Sequence, residues 1–196
     1  VPPTDTPEPV MPALINVPFS ETSPAPTAYE LTANYPQLDP ASIAQTEPFN
    51  SNIQSLVMGV VNSMRTDFIA NAASLPSDAS GWSSFLEISY DLTYISPTVI
   101  SLRFAFEFYV AGAAHPNLYY LSYTYDLLNH RELAMADVFQ PGSLYLQTVA
   151  DLCSAELTAR LGADAWVAGA GPDLVNYKTW NITPDGFKVT FDPYQV

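Results

Sequence analysis

The sequence predicts an α+β domain: an antiparallel sheet, made of a three-strand meander plus a C-terminal hairpin, covered by two helices. Two observations carry this. Residues 84–128 alternate apolar and polar side chains over three successive runs. Two other stretches instead place apolar residues at three- and four-residue steps.

The first 26 of the 196 residues contain eight prolines: Pro2, Pro3, Pro7, Pro9, Pro12, Pro18, Pro24 and Pro26. Each fixes φ and removes a donor, so residues 1–27 read as an extended tether. Val10, Met11, Leu14, Ile15, Val17 and Phe19 add enough apolar surface for part of it to lie on the domain. A single domain is expected over 28–196, with an N-terminal part at 28–80 and a C-terminal part at 81–196. The end, FKVTFDPYQV, stops in mid-pattern and is expected to be a truncated boundary.

Tyr29 to Tyr35 alternates as a strand that Pro36 should end. A helix is expected from about Pro48 to Asn71, with Ile53, Leu56, Val57, Val60, Val61, Met64 and Phe68 on one stripe. LPSDASGW is turn-rich. In the meander, Leu86, Ile88, Tyr90 and Leu92 should face the same side as Ile100, Leu102, Phe104, Phe106, Phe108 and Val110. A three-residue turn, Ser96-Pro97-Thr98, then pairs Leu92 with Leu102 and Ile88 with Phe106. A six-residue loop, Ala111 to Pro116, sets Phe108 opposite Tyr119 and Phe104 opposite Tyr123. A second helix is expected from about Pro141 to Leu161, with Tyr145, Val149, Leu152, Cys153, Leu157 and Leu161 inward and Gly162 as its stop. The last hairpin turns at Thr183-Pro184-Asp185-Gly186, with Phe187, Val189 and Phe191 inward. Both helices could then lie on one face of the sheet.

Twenty acidic against six basic residues, a net charge of −14, argue against nucleic acid or anionic lipid as partner. One cysteine excludes a disulfide within the chain, and Cys153 falls on the inner helix stripe as a small hydrophobe. No G-x-S-x-G elbow, H-E-x-x-H or EF-hand loop occurs, so neither catalytic residues nor a metal or cofactor site is assigned. His130 follows Asp126 in a turn and reads as a solvated residue.

Two places can hold a ligand. The loop Ala-Gly-Ala-Ala-His-Pro-Asn brings Gly112, His115 and Asn117 together with little side-chain bulk; its simpler reading is a histidine bonding its own backbone. The strand register also sets Glu87 opposite Glu107 on the outer face, where like charges repel. Arg103, opposite Asp91 and two residues from Glu107, should compensate both acids. Two carboxylates also suit glycoside hydrolysis, which gives an alternative reading as a cell-wall hydrolase acting through His115 or Glu87 and Glu107. Asn181-Ile182-Thr183 fits a glycosylation acceptor but is discounted, because Pro184 follows and a strand end is a poor location. Tyr120 points outward and could serve a binding platform.

Several local patterns occur in order: YPQL at 35–38, AAHP at 113–116, YDLL at 125–128, LAMADVF at 133–139 and DGFKVTFDPY at 185–194. With them, residues 28–196 resemble the paired domains of unknown function in the extracellular part of RsiV-type anti-sigma factors. Similar domains accompany PdaC-type peptidoglycan deacetylases and occur alone in bacterial lipoproteins and secreted proteins. The resemblance implies a non-catalytic, extracellular bacterial module that binds lysozyme or cell-wall glycan. Gly112, His115 and Pro116 match the family's His loop, although Ala113 stands where a second glycine is usual. No membrane span, anti-sigma segment or deacetylase domain is recognised in the sequence.

Overall fold

The computed structural model describes residues 10–76, 78–79 and 81–196. Pro2, Pro3, Pro7 and Pro9 of the expected tether lie outside the described residues, as do Ser77 and Ser80 of the turn-rich segment.

The α+β class is as expected. A six-stranded sheet runs in the order β1 (Leu14–Ser23), β2 (Tyr29–Leu38), β3 (Ser84–Ile95), β4 (Val99–Tyr109), β5 (Asn117–Asp126) and β6 (Arg131–Glu132). Residues expected within the tether thus supply an edge strand, paired from Leu14↔Leu38 to Ser23↔Tyr29. An edge strand tolerates proline. Pro18 and Pro36 fall on one alternation of the ladder, opposite Asn34 and Asn16. That alternation must be the pairs that exchange no hydrogen bonds, since a proline nitrogen has none to donate. β2 therefore continues through Pro36 to Leu38 instead of stopping there.

β2 and β3 pair in parallel, Tyr29↔Ser84 to Ala33↔Ile88, and α1 (Phe49–Ala72) makes the crossover. Ile53, Val57, Val61 and Phe68 of its expected stripe are buried against Leu31, Leu86, Ile88, Phe104, Phe106 and Tyr125. Buried Asn50 fastens the start of α1 to the end of β2: its Oδ1 accepts from the Leu38 N–H at 2.7 Å and its Nδ2 donates to the Leu38 carbonyl at 3.1 Å.

The β3–β4 register is the expected one, with Ile88↔Phe106, Tyr90↔Phe104 and Leu92↔Leu102. It is reached differently near the turn, where a bulge between Leu92 and Tyr94 shifts the pairing to Ile95↔Ile100. Leu92 is consequently exposed. The β4–β5 register differs from expectation by two residues: Phe108 faces Asn117, Phe106 faces Tyr119 and Phe104 faces Leu121. A slip of two keeps every apolar side chain on its face, so alternation alone cannot detect it.

The hairpin β7 (Trp180–Thr183) and β8 (Gly186–Val189) forms its own small sheet. It lies on the other face of the main sheet, where Asn181 Nδ2 donates to Ser101 Oγ and the Leu102 carbonyl. α2 (Tyr145–Leu161) packs on that hairpin, so the two helices belong to separate cores instead of sharing a face. Met135, Val149, Ala150, Tyr177 and Trp180 make the second core. α2 begins at Tyr145, not at Pro141, because Gly142 has φ +79° and the Ser143 N–H closes a turn on the Gln140 carbonyl. Of the expected inner stripe, Leu152 and Leu161 are exposed, because the small hairpin covers only the flank carrying Val149 and Ala150. Cys153 is half-buried there, and desolvation pushes its thiol pKa up.

Candidate functional site

β7 and its flanks cover only part of the outer sheet face. The remainder carries two transverse rows of side chains. One contains Thr22, Glu30, Phe85 and Tyr109, and the other Ser20, Thr32, Glu87, Glu107 and Leu118. The strand register brings Glu87 directly opposite Glu107, as the alternation predicts, and both are exposed. Glu30 joins them through the parallel pairing of β2 with β3, and it too is exposed. Phe85 and Tyr109 stack beside the acids with ring centroids 6.2 Å apart and planes inclined by 26°. A recess of about 310 Å³ between the rows is lined by Glu30, Thr32, Phe85, Leu86 and Glu87.

Among the described residues no ion pair reaches Glu30, Glu87 or Glu107. Arg103 was expected to compensate both Asp91 and Glu107, but it serves Asp91 alone, with Nη2 at 2.5 Å and Nε at 3.2 Å from the same oxygen. The reason lies in the C-terminal segment. Arg103 Nη1 also donates to Thr190 Oγ1 at 3.4 Å, and the guanidinium sits 5.2 Å from the centre of the Tyr120 ring. These partners hold it away from Glu107, and they also occupy the ring expected as a platform.

The loop between β4 and β5 forms a second, neighbouring feature. Its entry is fixed by the Ala111 N–H donating to Ser84 Oγ and by Asn71 Nδ2 donating to the Ala111 carbonyl. Gly112 takes φ +92°, and Trp82 lies over it. His115 is exposed, and its Nδ1 bonds the Pro116 carbonyl at 2.7 Å; a carbonyl only accepts, so Nδ1 carries the proton. This is the simpler reading of the loop. His115 and Asn117 line a recess of about 270 Å³ with Pro116, Leu118, Pro193 and Tyr194. It shares no lining residue with the acidic recess, although Leu118 is the cross-strand partner of Glu107. His115, hydrogen-bonded to Pro116, and the two glutamates are therefore neighbours without forming one constellation.

Elsewhere, Asp126 accepts from the Leu128 and Asn129 N–H groups and from Asn129 Nδ2, which holds its carboxyl below the usual carboxylate range. His130 follows in that turn at φ 51°. Asn181 of the discounted acceptor motif is fully buried. Among the described residues no three His, Cys, Asp or Glu side chains converge as metal ligands, and no helix is long and apolar enough to cross a membrane.

Glu30, Phe85 and Tyr109 escaped sequence reasoning. Each is an outward position in a readable alternation; the β3–β4 register that sets Phe85 opposite Tyr109 was readable, but the pairing that brings Glu30 beside them joins strands on either side of α1.

A mostly antiparallel sheet with a helix on one face and a hairpin–helix unit on the other defines the class of fold. A family model described as a protein of unknown function (DUF3298) matches residues 136–196, which hold α2 and the β7–β8 hairpin. Two solved DUF3298 family structures are similar to the chain as a whole. One is from Bacteroides fragilis, 18% identical, with a TM-score of 0.54, covering 82% of this chain and 73% of that one. The other is from Pseudomonas aeruginosa, 13% identical, with a TM-score of 0.56, covering 83% of this chain and 72% of that one. No curated protein matches. The likeness concerns the fold.

Proposed function

We propose that this domain is a recognition module of the bacterial cell surface, not itself a catalyst, which takes a basic protein such as lysozyme on its acidic sheet face. One observation carries the reading: Glu30, Glu87 and Glu107 stand exposed beside the stacked Phe85 and Tyr109, with no ion pair to any described basic side chain. Opposed glutamates destabilise a strand pair, and lysine or arginine side chains from a partner would relieve them. Aromatic rings add stacking surface for the same cations. The net charge of −14 would speed the encounter. The resemblance to the extracellular region of RsiV-type anti-sigma factors points to the same partner. The hydrolase alternative has less support, because the glutamates occupy an open strand face and His115 is tied to Pro116.

The test is calorimetric titration with hen lysozyme, and separately with soluble peptidoglycan fragments, at low and moderate salt. Saturable lysozyme binding that weakens with salt is expected, together with at least about tenfold loss in Glu87→Lys/Glu107→Lys. Silence with lysozyme at both salt concentrations overturns the reading. Binding of the fragments alone would transfer the face to glycan recognition through Phe85 and Tyr109.

A further inference from the structure

The recess of about 310 Å³ on the outer sheet face is framed by four outward positions of the parallel β2–β3 ladder, Glu30 opposite Phe85 and Thr32 opposite Glu87. The two carboxylates therefore stand at diagonal corners, with the ring and the hydroxyl at the other two. Leu86 turns its side chain into the core, so its main chain forms the floor, and its carbonyl accepts from Thr32 Oγ1 at 3.4 Å. Phe85 stacks on Tyr109 on its β4 side, which leaves the opposite ring face toward the recess.

Exposed carboxylates alone mark only a solvated strand face. What distinguishes this recess is that the same sheet face already fills a similar set of groups. Farther along β3 and β4, the Arg103 guanidinium donates to Asp91, its cross-strand partner, at 2.5 and 3.2 Å. It also lies 5.2 Å from the centre of the Tyr120 ring and donates to Thr190 Oγ1 at 3.4 Å. A carboxylate, an aromatic ring and a threonine hydroxyl thus surround one guanidinium. The recess offers two carboxylates, a ring and a threonine hydroxyl, and none of the six basic residues lines it. Arg65, Arg103, Arg131, Arg160 and Lys178 are engaged in ion pairs elsewhere, and Lys188 lines a cavity beside α2.

We infer that this recess is an arginine site: it takes the guanidinium of one arginine side chain projected by the basic partner and discriminates against lysine. A planar guanidinium can lie on the free face of Phe85 and donate from opposite edges to Glu30 and Glu87, with Thr32 Oγ1 as a further acceptor. An ammonium is a compact, strongly hydrated point charge. It can approach either carboxylate, but it cannot bridge the diagonal while covering the ring. The inference rests on the acidic face being the partner surface, and it adds which side chain of the partner that face selects.

The probes are acetyl-arginine-N-methylamide and acetyl-lysine-N-methylamide, titrated separately into the full chain and followed by amide and methyl resonances. Saturable shifts are expected at Thr32, Phe85 and Leu86, with the arginine amide binding about three- to fivefold more tightly than the lysine amide. Phe85→Leu should abolish that preference and leave the lysine amide's affinity in place, while Phe85→Tyr should keep it. Glu30→Gln/Glu87→Gln should weaken both probes; its side chains are exposed, and unchanged amides elsewhere in the sheet show that the variant is folded. Equal affinities, shifts confined to other residues, or a preference that survives Phe85→Leu would each overturn the inference. A second arm uses hen lysozyme with its arginines blocked by 1,2-cyclohexanedione and its lysines intact. Loss of binding supports the arginine site. Binding that persists overturns it and leaves the acidic face standing as a receptor surface. If unmodified lysozyme does not bind, the receptor reading fails, and the amide titrations alone decide the recess.

Discussion

Gly112 has φ +92°, and a Cβ added to it would lie 3.4 Å from the Trp82 ring. That distance is an ordinary contact, so the cost lies in the backbone, which alanine cannot hold cheaply at that φ. Gly112→Ala should therefore cost about 1–3 kcal/mol in urea unfolding, with the change concentrated in the loop that carries His115. The glycine and the small residues around it were legible as a loop. Trp82, Ser84 and Asn71, which hold that loop, come from distant segments whose approach no local pattern encodes. The same division holds at Asn181. The sequence suggests a surface acceptor motif to be discounted, and the structure shows a buried amide bonding Ser101 and Leu102. Asn181→Ala would leave the buried Leu102 carbonyl without that donor. A loss of about 1–3 kcal/mol is expected in a thermal or urea melt.

β1 is held to the domain by more than its ladder with β2. Glu21 accepts from Arg65 of α1 at 2.7 and 2.5 Å, and from the Tyr29 hydroxyl at 2.8 Å. The Arg65 guanidinium and the Tyr29 hydroxyl hold the Glu21 carboxyl below its ordinary value, against some desolvation. A carboxyl with a depressed folded pKa contributes its full stabilisation above the unfolded value and loses it as pH falls through the folded one. Glu21→Gln should thus cost about 0.5–1 kcal/mol at neutral pH, and the two stability curves should converge in acid. Urea titrations at several pH values would show this; a gap that persists in acid would assign the effect to packing. Strand β1 hid from sequence reading because eight prolines in 26 residues read as an extended tether, whereas an edge strand needs donors on one side only. The β3–β4 register was legible since a slip of one residue would have exposed its apolar face. The slip of two between β4 and β5 was not, since it exposes nothing.

The two cores each bury a tyrosine whose hydroxyl resists ionisation. Desolvation pushes Tyr123 in the first and Tyr177 in the second up to about 12. The unfolded chain releases these protons near the ordinary tyrosine value of 10, so stability is intact below that pH and is lost as pH rises toward 12. Alkaline titration followed by tyrosinate absorbance should show these two ionising late and together with unfolding. Tyr177→Phe should shift the alkaline transition upward. Composition made a real core legible, and alternation made the meander legible. Which side of the sheet each helix would occupy was not, since both have an apolar stripe and neither stripe says what it faces.

The parallel pairing of Tyr29–Ala33 with Ser84–Ile88 also sets the order in which the molecule can assemble. The β1–β2 hairpin and the β3–β5 meander each close over short turns and can form early and locally. Joining them requires the chain to travel through α1 and return, and the entropy of closing that long loop must be met before the central ladder rewards it. Refolding should therefore be limited by the docking of two preformed halves. Substitutions within α1 such as Ile53→Ala, which loosen the element that bridges them, should slow folding more than they speed unfolding.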